Sequence, residues 1–205
     1  MAGSWAVVVP VKRLSEAKSR LAAYGGQGRR DPALAFALDV AAACLATATV
    51  SEVLVVTGDL EADEAMRDLG ALVAAEEAYG GLNGALRRGS DLLRSSSPRR
   101  PVLALAGDLP CLRPAHLEQA LAAVGEGRAF VADADGTGTT MLAAPAGREL
   151  APLFGPGSRA RHRHSGAVEL DGAPALRRDV DTPNDLAAAL LLGVGPSTAA
   201  AVLHL

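Results

Sequence analysis

The chain has 205 residues and a formal net charge of −3, and at this length we predict one domain, residues 1–205, that buries roughly 70% of its unfolded surface. The small acidic excess argues against general binding to nucleic acid or to anionic membranes. The two cysteines, Cys44 and Cys111, lack zinc-ligand spacing, and neither a signal-peptide pattern nor an unbroken apolar span is evident. We therefore expect a reduced, cytoplasmic protein.

Proline, glycine and capping residues divide the chain into alternating apolar strands and helices. The predicted strands cover residues 5–9, 52–57, 71–74, 101–106, 129–132 and 139–144. The predicted helices run from 32 to about 47, from 61 to 69, from the turn at 80–83 to about 94, from 114 to 124, and onward from 182–183. This alternation predicts an α/β fold with a mainly parallel sheet in three layers.

The first strand is followed by the only two lysines of the chain, Lys12 and Lys18, whereas the whole chain has 18 arginines. A compact ammonium group therefore suits this segment better than a planar guanidinium group. Ligands of open α/β sheets bind at the carboxyl ends of the strands. We predict a phosphate-binding loop here, and the alternative is a solvated basic turn.

The strand at 101–106 ends at a single acid, Asp108, between Gly107 and Pro110. A carboxylate in this position is suited to Mg²⁺, which takes one or two protein carboxylates and completes its shell with phosphate oxygens and water. The alternative is an aspartate that only caps a helix or a turn.

A second acidic segment near the C-terminus contains Asp179 and Asp181. We predict that these acids end a short extended strand, in which alternation places both side chains on one face, and one of them could complete a metal site with Asp108. Asp185 is left out, because an acid in the first turn of a helix is favoured by the helix dipole alone.

Two further segments, 136–140 and 154–162, combine glycines with hydroxyl residues. Free backbone N–H groups in such segments could hold a phosphate or a carboxylate. Ordinary turn formation is the alternative. His162 and His164 lie in an arginine-rich stretch, and we expect both at the surface and neither as a metal ligand.

Six motifs together resemble the guanylyltransferases of coenzyme F-420 biosynthesis, the CofC/FbiD family. They are Val-Pro-Val-Lys-Arg-Leu-Ser-Glu-Ala-Lys-Ser-Arg-Leu (9–21), Gly-Leu-Asn (81–83), Leu-Ala-Gly-Asp-Leu-Pro (105–110), Gly-Thr-Gly-Thr-Thr (136–140), Phe-Gly-Pro-Gly-Ser (154–158) and Asp-Val-Asp-Thr-Pro (179–183). The resemblance implies a Rossmann-like, glycosyltransferase-A-like nucleotidyltransferase. It also implies transfer of GMP from GTP to phosphoenolpyruvate, 2-phospho-L-lactate or 3-phosphoglycerate, and the composition favours phosphoenolpyruvate.

The same resemblance implies roles for individual residues. The Mg²⁺ ligands are Asp108 and Asp181, with Asp179 as the alternative to Asp181. It implies that phosphoenolpyruvate is bound by Thr140, Gly155 and Ser158. It implies that GTP is bound by Lys12, Lys18, Gly81, Leu82 and Asn83. The catalytic cations would be Lys12, Lys18 and Arg20. Pro156 departs from the family pattern and stiffens the loop around it.

The resemblance also implies the reaction. A phosphate oxygen of the acceptor attacks the α-phosphorus of GTP, and diphosphate leaves. The attacking phosphate is already ionised, so no general base is needed, and the Mg²⁺ ion and the cations supply the compensating charge. The product would pass to a downstream F-420 biosynthetic transferase.

Two other functions remain compatible with these residues. One is nucleotidyl transfer to another acceptor, such as a molybdopterin or a sugar phosphate. The other is a non-catalytic nucleotide-binding module, because fold alone does not fix function. The intact acid pair argues against the second.

Overall fold

The computed structural model describes residues 4–12, 14, 32–76 and 80–202. Lys18 and Arg20 of the predicted phosphate-binding loop lie outside these ranges. The strands are β1 (Trp5–Val11), β2 (Val50–Thr57), β3 (Leu72–Ala75), β4 (Val102–Leu105), β5 (Ala129–Ala132), β6 (Thr139–Ala144) and β7 (Val168–Glu169). The helices are α1 (Pro32–Leu45), α2 (Leu60–Leu69), α3 (Gly81–Arg94), α4 (Pro114–Ala122), α5 (Ser158–His164), α6 (Pro174–Arg177), α7 (Pro183–Leu192) and α8 (Pro196–Val202).

The seven strands form one sheet in the order β3-β2-β1-β4-β6-β5-β7. Strand β6 pairs antiparallel with both β4 and β5, and the other pairings are parallel. The reversal of β6 follows from the short connection after β5, since a parallel neighbour would need a long crossover. The predicted α/β class and mainly parallel sheet are confirmed.

The central strand β1 is buried on both faces, which makes the fold three-layered. Val7 and Val9 pack with α1 in one apolar cluster, whereas Ala6 and Val8 pack with α3 in another. At Gly89 of α3, an added Cβ would lie 2.4 Å from Cγ2 of Val8. Helix α3 therefore lies this close to the sheet only because residue 89 has no side chain.

Helix α8 packs against α1 through Phe36 and Val202 and is capped by a carboxylate of α1. Asp39 accepts hydrogen bonds from the backbone N–H groups of Ser197 and Thr198, each at 2.9 Å. The carboxylate thereby satisfies two N–H groups that have no partner within the helix. Across the described ranges, no helix is long and apolar enough to cross a membrane.

The predicted extended strand carrying Asp179 and Asp181 is wrong. Helix α6 ends at Arg177, and no strand occurs between it and α7. This irregular segment is positioned by a tertiary hydrogen bond, in which the N–H of Val180 donates to the backbone oxygen of Asp108 at 3.0 Å. Helix α7 begins as predicted, with Thr182 and Asp185 forming a capping box.

Candidate active site

A cleft of about 700 Å³ opens at the carboxyl ends of β1 and β4. Asp108, Asp179 and Asp181 all line it, together with Lys12, Gly155 and Ser158. The sheet order explains this convergence, because Lys12 follows β1 and Asp108 follows the neighbouring strand β4. Gly107 allows the two strand ends to approach closely, since a Cβ there would lie 2.9 Å from the backbone oxygen of Pro10.

Asp108 has a side-chain oxygen without a partner. The residue as a whole is partly exposed, but its Oδ1 atom is buried and has no hydrogen-bond partner in the described part of the protein. Burial and the nearby charge of Asp181 raise the pKa of Asp108 to about 6, although Lys12 acts in the opposite direction. A buried carboxylate with an unsatisfied oxygen needs a cation or a proton.

Asp179 has a similar environment. Burial raises its pKa to about 7, and the charge of Asp108 is the next largest cause. Three carboxylates facing one cleft repel one another, and a bound divalent cation would remove that repulsion. The donor set therefore fits a magnesium-type ion. Both Asp179 and Asp181 line the cleft, so either can be the second ligand.

The residues that the structure describes contain no group of three or more His, Cys, Asp or Glu side chains already arranged to hold a metal ion. Mg²⁺ does not need such a group, because it usually binds one or two carboxylates and takes its other ligands from substrate phosphates and water.

The chain just beyond Lys12 is anchored to the neighbouring strand connection. The N–H of Leu14 donates to Oδ2 of Asp59 at 3.0 Å. The other carboxylate oxygen of Asp59 caps α2. Asp59 thus fixes the start of the segment that contains both lysines, although Lys18 and Arg20 themselves are not described.

The residues predicted to bind phosphoenolpyruvate are only partly brought together. Gly155 and Ser158 line the cleft. The hydroxyl of Thr140 instead donates to the backbone oxygen of Leu176 at 2.7 Å, and Thr140 is not among the described residues that line the cleft. Its neighbour Thr139 does line it, because successive strand residues point to opposite faces.

The prediction that segment 136–140 offers free backbone N–H groups is wrong at three positions. The N–H of Gly136 donates to the backbone oxygen of Asp133 at 3.2 Å. The N–H groups of Thr137 and Gly138 donate to the two carboxylate oxygens of Asp133, at 2.8 and 2.7 Å. An added Cβ on Gly138 would lie 2.3 Å from Oδ2 of Asp133. The glycine therefore serves a tight turn closed by a carboxylate.

The prediction that His162 lies at the surface is also wrong, whereas His164 is exposed as expected. The His162 ring is 0% exposed and packs 5.7 Å from the Phe130 ring and 5.3 Å from the Phe154 ring, measured between centroids. Burial, helped by the charges of Arg128 and Arg161, lowers its pKa to about 4. The ring is therefore neutral near pH 7.

Of the three residues predicted to bind GTP near the start of α3, Leu82 lines the cleft. Gly81 begins α3 with φ at 54°, a value that favours glycine. The amide of Asn83 pairs with the backbone of Phe154 in both directions, at 3.0 and 2.8 Å. Asn83 thereby fastens α3 to the loop that precedes Gly155.

Comparison with known proteins decides the family. The sequence pattern of the MobA-like NTP transferase domain matches residues 13–165. The chain is 56% identical to the phosphoenolpyruvate guanylyltransferase of Streptomyces avermitilis, over 98% of this chain and 95% of that protein. The chain belongs to the phosphoenolpyruvate guanylyltransferase family. The resemblance inferred from the six motifs is confirmed.

Solved structures agree with the fold. A nucleotidyl transferase from Methanothermobacter thermautotroptrophicus matches with a TM-score of 0.62 at 21% identity, covering 92% of this chain and 97% of that one. Rv0371C from Mycobacterium tuberculosis H37Rv, in complex with manganese, matches with a TM-score of 0.57 at 26% identity, covering 93% of this chain and 100% of that one. The predicted nucleotidyltransferase fold is confirmed, and a divalent metal accompanies it in the second structure.

Proposed function

We propose that this protein transfers the GMP part of GTP to phosphoenolpyruvate and releases diphosphate, as a step in coenzyme F-420 biosynthesis. The observation that carries the proposal is the buried Oδ1 of Asp108 in the cleft, which no described residue contacts by a hydrogen bond, in a chain 56% identical to a phosphoenolpyruvate guanylyltransferase. On this proposal the protein acts in the cytoplasm and passes its product to a downstream transferase.

We assign the metal site to Asp108 and either Asp181 or Asp179, and propose Mg²⁺ as the ion. When bound, it would neutralise phosphate oxygens of the substrates. Asp108 contributes a buried oxygen that has no hydrogen-bond partner among the described residues, and binding the metal requires that both carboxylates have lost their protons. The raised pKa values of Asp108 and Asp179 predict weaker metal binding below neutral pH.

The substrates bring several negative charges into one cleft, and cations must align them. Lys12 lines the cleft near Asp108, and we propose that it holds a phosphate of GTP, with Lys18 and Arg20 adding charge from the segment that follows. The acceptor phosphate forms a new bond to the α-phosphorus of GTP. The bond from that phosphorus to the β-phosphate oxygen breaks, and diphosphate departs with its electrons.

Diphosphate release from GTP that depends on phosphoenolpyruvate tests these roles. Asp108→Asn is expected to abolish release even in saturating Mg²⁺, because a neutral amide is a poor Mg²⁺ ligand. Lys12→Met is expected to lower kcat by roughly 10²- to 10³-fold, the scale for losing one preorganised electrostatic donor. Lys12→Arg is expected to restore only part of the rate.

Arg99→Met is the matched control, since Arg99 is an exposed cation before the amino end of β4. Its kcat is expected to equal that of the parent protein. A near-parental rate for Asp108→Asn would show that Asp108 is not a metal ligand needed for the reaction. A near-parental rate for Lys12→Met would show that Lys12 does not hold a phosphate of GTP. The same Met and Arg substitutions at Lys18 test the predicted role of that residue independently.

A further inference from the structure

Two hydroxyl groups meet in the cleft wall beside Gly155. Ser158 Oγ and Thr139 Oγ1 lie 3.1 Å apart, and both residues line the cleft. We refer to Thr139 and Ser158 as the hydroxyl pair. Thr139 is 8% and Ser158 1% exposed, so their protons point either to fixed partners or into the cleft.

The ring of His162 sets the polarity of this pair. The N–H of Leu153 donates to His162 Nε2 at 3.0 Å, so Nε2 carries no proton. A neutral ring holds its proton on one nitrogen only, which is then Nδ1. His162 Nδ1 lies 2.9 Å from Thr139 Oγ1 and donates to it.

One proton of the hydroxyl pair has no acceptor among the described residues. The hydroxyl pair has two protons, and the hydrogen bond between its two oxygens uses one, whichever hydroxyl donates. Thr139 cannot give the other proton to His162, because Nδ1 already holds its own. No further acceptor for either hydroxyl occurs among the described residues, so one O–H group remains available at the cleft surface.

We propose that the hydroxyl pair donates this O–H to an anionic oxygen of the acceptor substrate, that Thr139 is thereby a substrate-binding residue, and that His162 is a positioning residue. The inference rests on the proposed function and extends it. It assigns to Thr139 the hydroxyl contact that the sequence motif placed at Thr140, whose hydroxyl is engaged by Leu176.

The sheet order places the hydroxyl pair on the opposite side of Asp108 from Lys12. Lys12 follows β1, Asp108 follows β4, and Thr139 begins β6, and these three strands are consecutive neighbours. Asp108 therefore lies between the cation assigned to GTP and the hydroxyl pair. A ligand on the β6 side meets Thr139, Ser158 and the Gly155 loop, which Asn83 holds through Phe154.

The substitutions Thr139→Val and Thr139→Ser test the donor. Valine has the same shape without the hydroxyl, and serine keeps the hydroxyl. A hydrogen bond to a charged group corresponds to roughly a 10- to 100-fold change in affinity. We expect Thr139→Val to raise KM for phosphoenolpyruvate by at least about tenfold and KM for GTP by less than about twofold, and Thr139→Ser to keep both near the parental values.

His162→Asn and His162→Gln test the positioning role. Asparagine places an amide near the position of Nδ1, and glutamine places one near Nε2, while both lose the ring that packs between Phe130 and Phe154. The two variants should therefore lose similar thermal stability. We expect His162→Gln to raise KM for phosphoenolpyruvate toward the Thr139→Val value and His162→Asn to retain the lower KM.

Calorimetric titration of phosphoenolpyruvate with Mg²⁺, without GTP, separates this inference from the proposed function. Weaker binding to Thr139→Val than to the parent and to Thr139→Ser supports the inference, even if the parent fails to release diphosphate from GTP. Equal binding to the parent and Thr139→Val overturns it, even if the parent is an active guanylyltransferase. Equal KM values for His162→Asn and His162→Gln overturn the positioning role.

Discussion

Asp108→Asn is expected to stabilise the metal-free protein while it abolishes activity. In the fold, burial and the charge of Asp181 raise the pKa of Asp108 from 3.8 to about 6, so the folded state holds its proton to higher pH than the unfolded state does. Stability contributed by such a group is present at low pH and falls as pH rises from about 4 to above 6. Asparagine does not ionise, so the stability of Asp108→Asn does not fall in this way as pH rises.

The pKa shift gives the magnitude. Each pKa unit corresponds to about 1.4 kcal/mol, so ionised Asp108 costs the fold about 3 kcal/mol at about pH 8 and only about 1 kcal/mol at about pH 4.5. Urea denaturation in EDTA at these two pH values measures the free energy of unfolding of the parent and the variant. The advantage of Asp108→Asn should be about 2 kcal/mol larger at the higher pH.

Asp68→Asn supplies the control, because Asp68 is an exposed carboxylate on α2. Its effect should stay within about 0.5 kcal/mol at both pH values. Added Mg²⁺ should stabilise the parent at the higher pH and leave Asp108→Asn unchanged, since a ligand stabilises only the state that binds it. This account of the cleft would be refuted if Asp108→Asn exceeded the parent in unfolding free energy by the same amount at both pH values. It would also be refuted if the variant were less stable than the parent at the higher pH.

Three further predictions concern stability. Asp39→Ala is expected to lower the free energy of unfolding by about 1–2 kcal/mol in urea denaturation, because two N–H groups of α8 lose their cap; no change would show that α8 is held by packing alone. Gly89→Ala is expected to cost about 1–3 kcal/mol through overlap with Val8, and Gly125→Ala, which meets nothing within 4 Å, is the control that should stay near the parent. The folded-state pKa of His162 is lowered to about 4, so the free energy of unfolding of the parent should fall by up to about 3 kcal/mol as pH falls from about 6.5 to 4. His162→Gln should not show this fall. Equal pH dependence of the unfolding free energy in the parent and in His162→Gln would contradict the prediction.

Much of the fold could be predicted from local sequence. Prolines at the first turns of α1, α4 and α7 mark where those helices begin, because proline fits that position and no later one. Apolar runs bounded by glycine and polar residues identified β1 to β6. The two-residue strand β7 has no such run: within the described ranges it pairs with β5 alone, at the edge of the sheet, and Val168 is largely exposed.

The site was predictable where it depends on strand ends and not where it depends on distant packing. Asp108 follows directly from the apolar run of β4. His162 lies in a stretch rich in arginine, and its burial results from Phe130 and Phe154, which no local pattern connects to it. Thr139 and Thr140 are the same residue type, and their tertiary contacts separate them: Thr139 contacts His162 and Ser158, whereas Thr140 donates to Leu176.

The central claim is the identity of the reaction, and product analysis by mass spectrometry tests it most directly. The 205-residue protein is incubated with GTP, Mg²⁺ and one acceptor at a time: phosphoenolpyruvate, 2-phospho-L-lactate or 3-phosphoglycerate. We predict one new species, enolpyruvyl-diphospho-5'-guanosine, formed with an equal amount of diphosphate and absent when Asp108 is replaced by asparagine. No guanylylated product from phosphoenolpyruvate, or an equal yield from Asp108→Asn, would contradict the account.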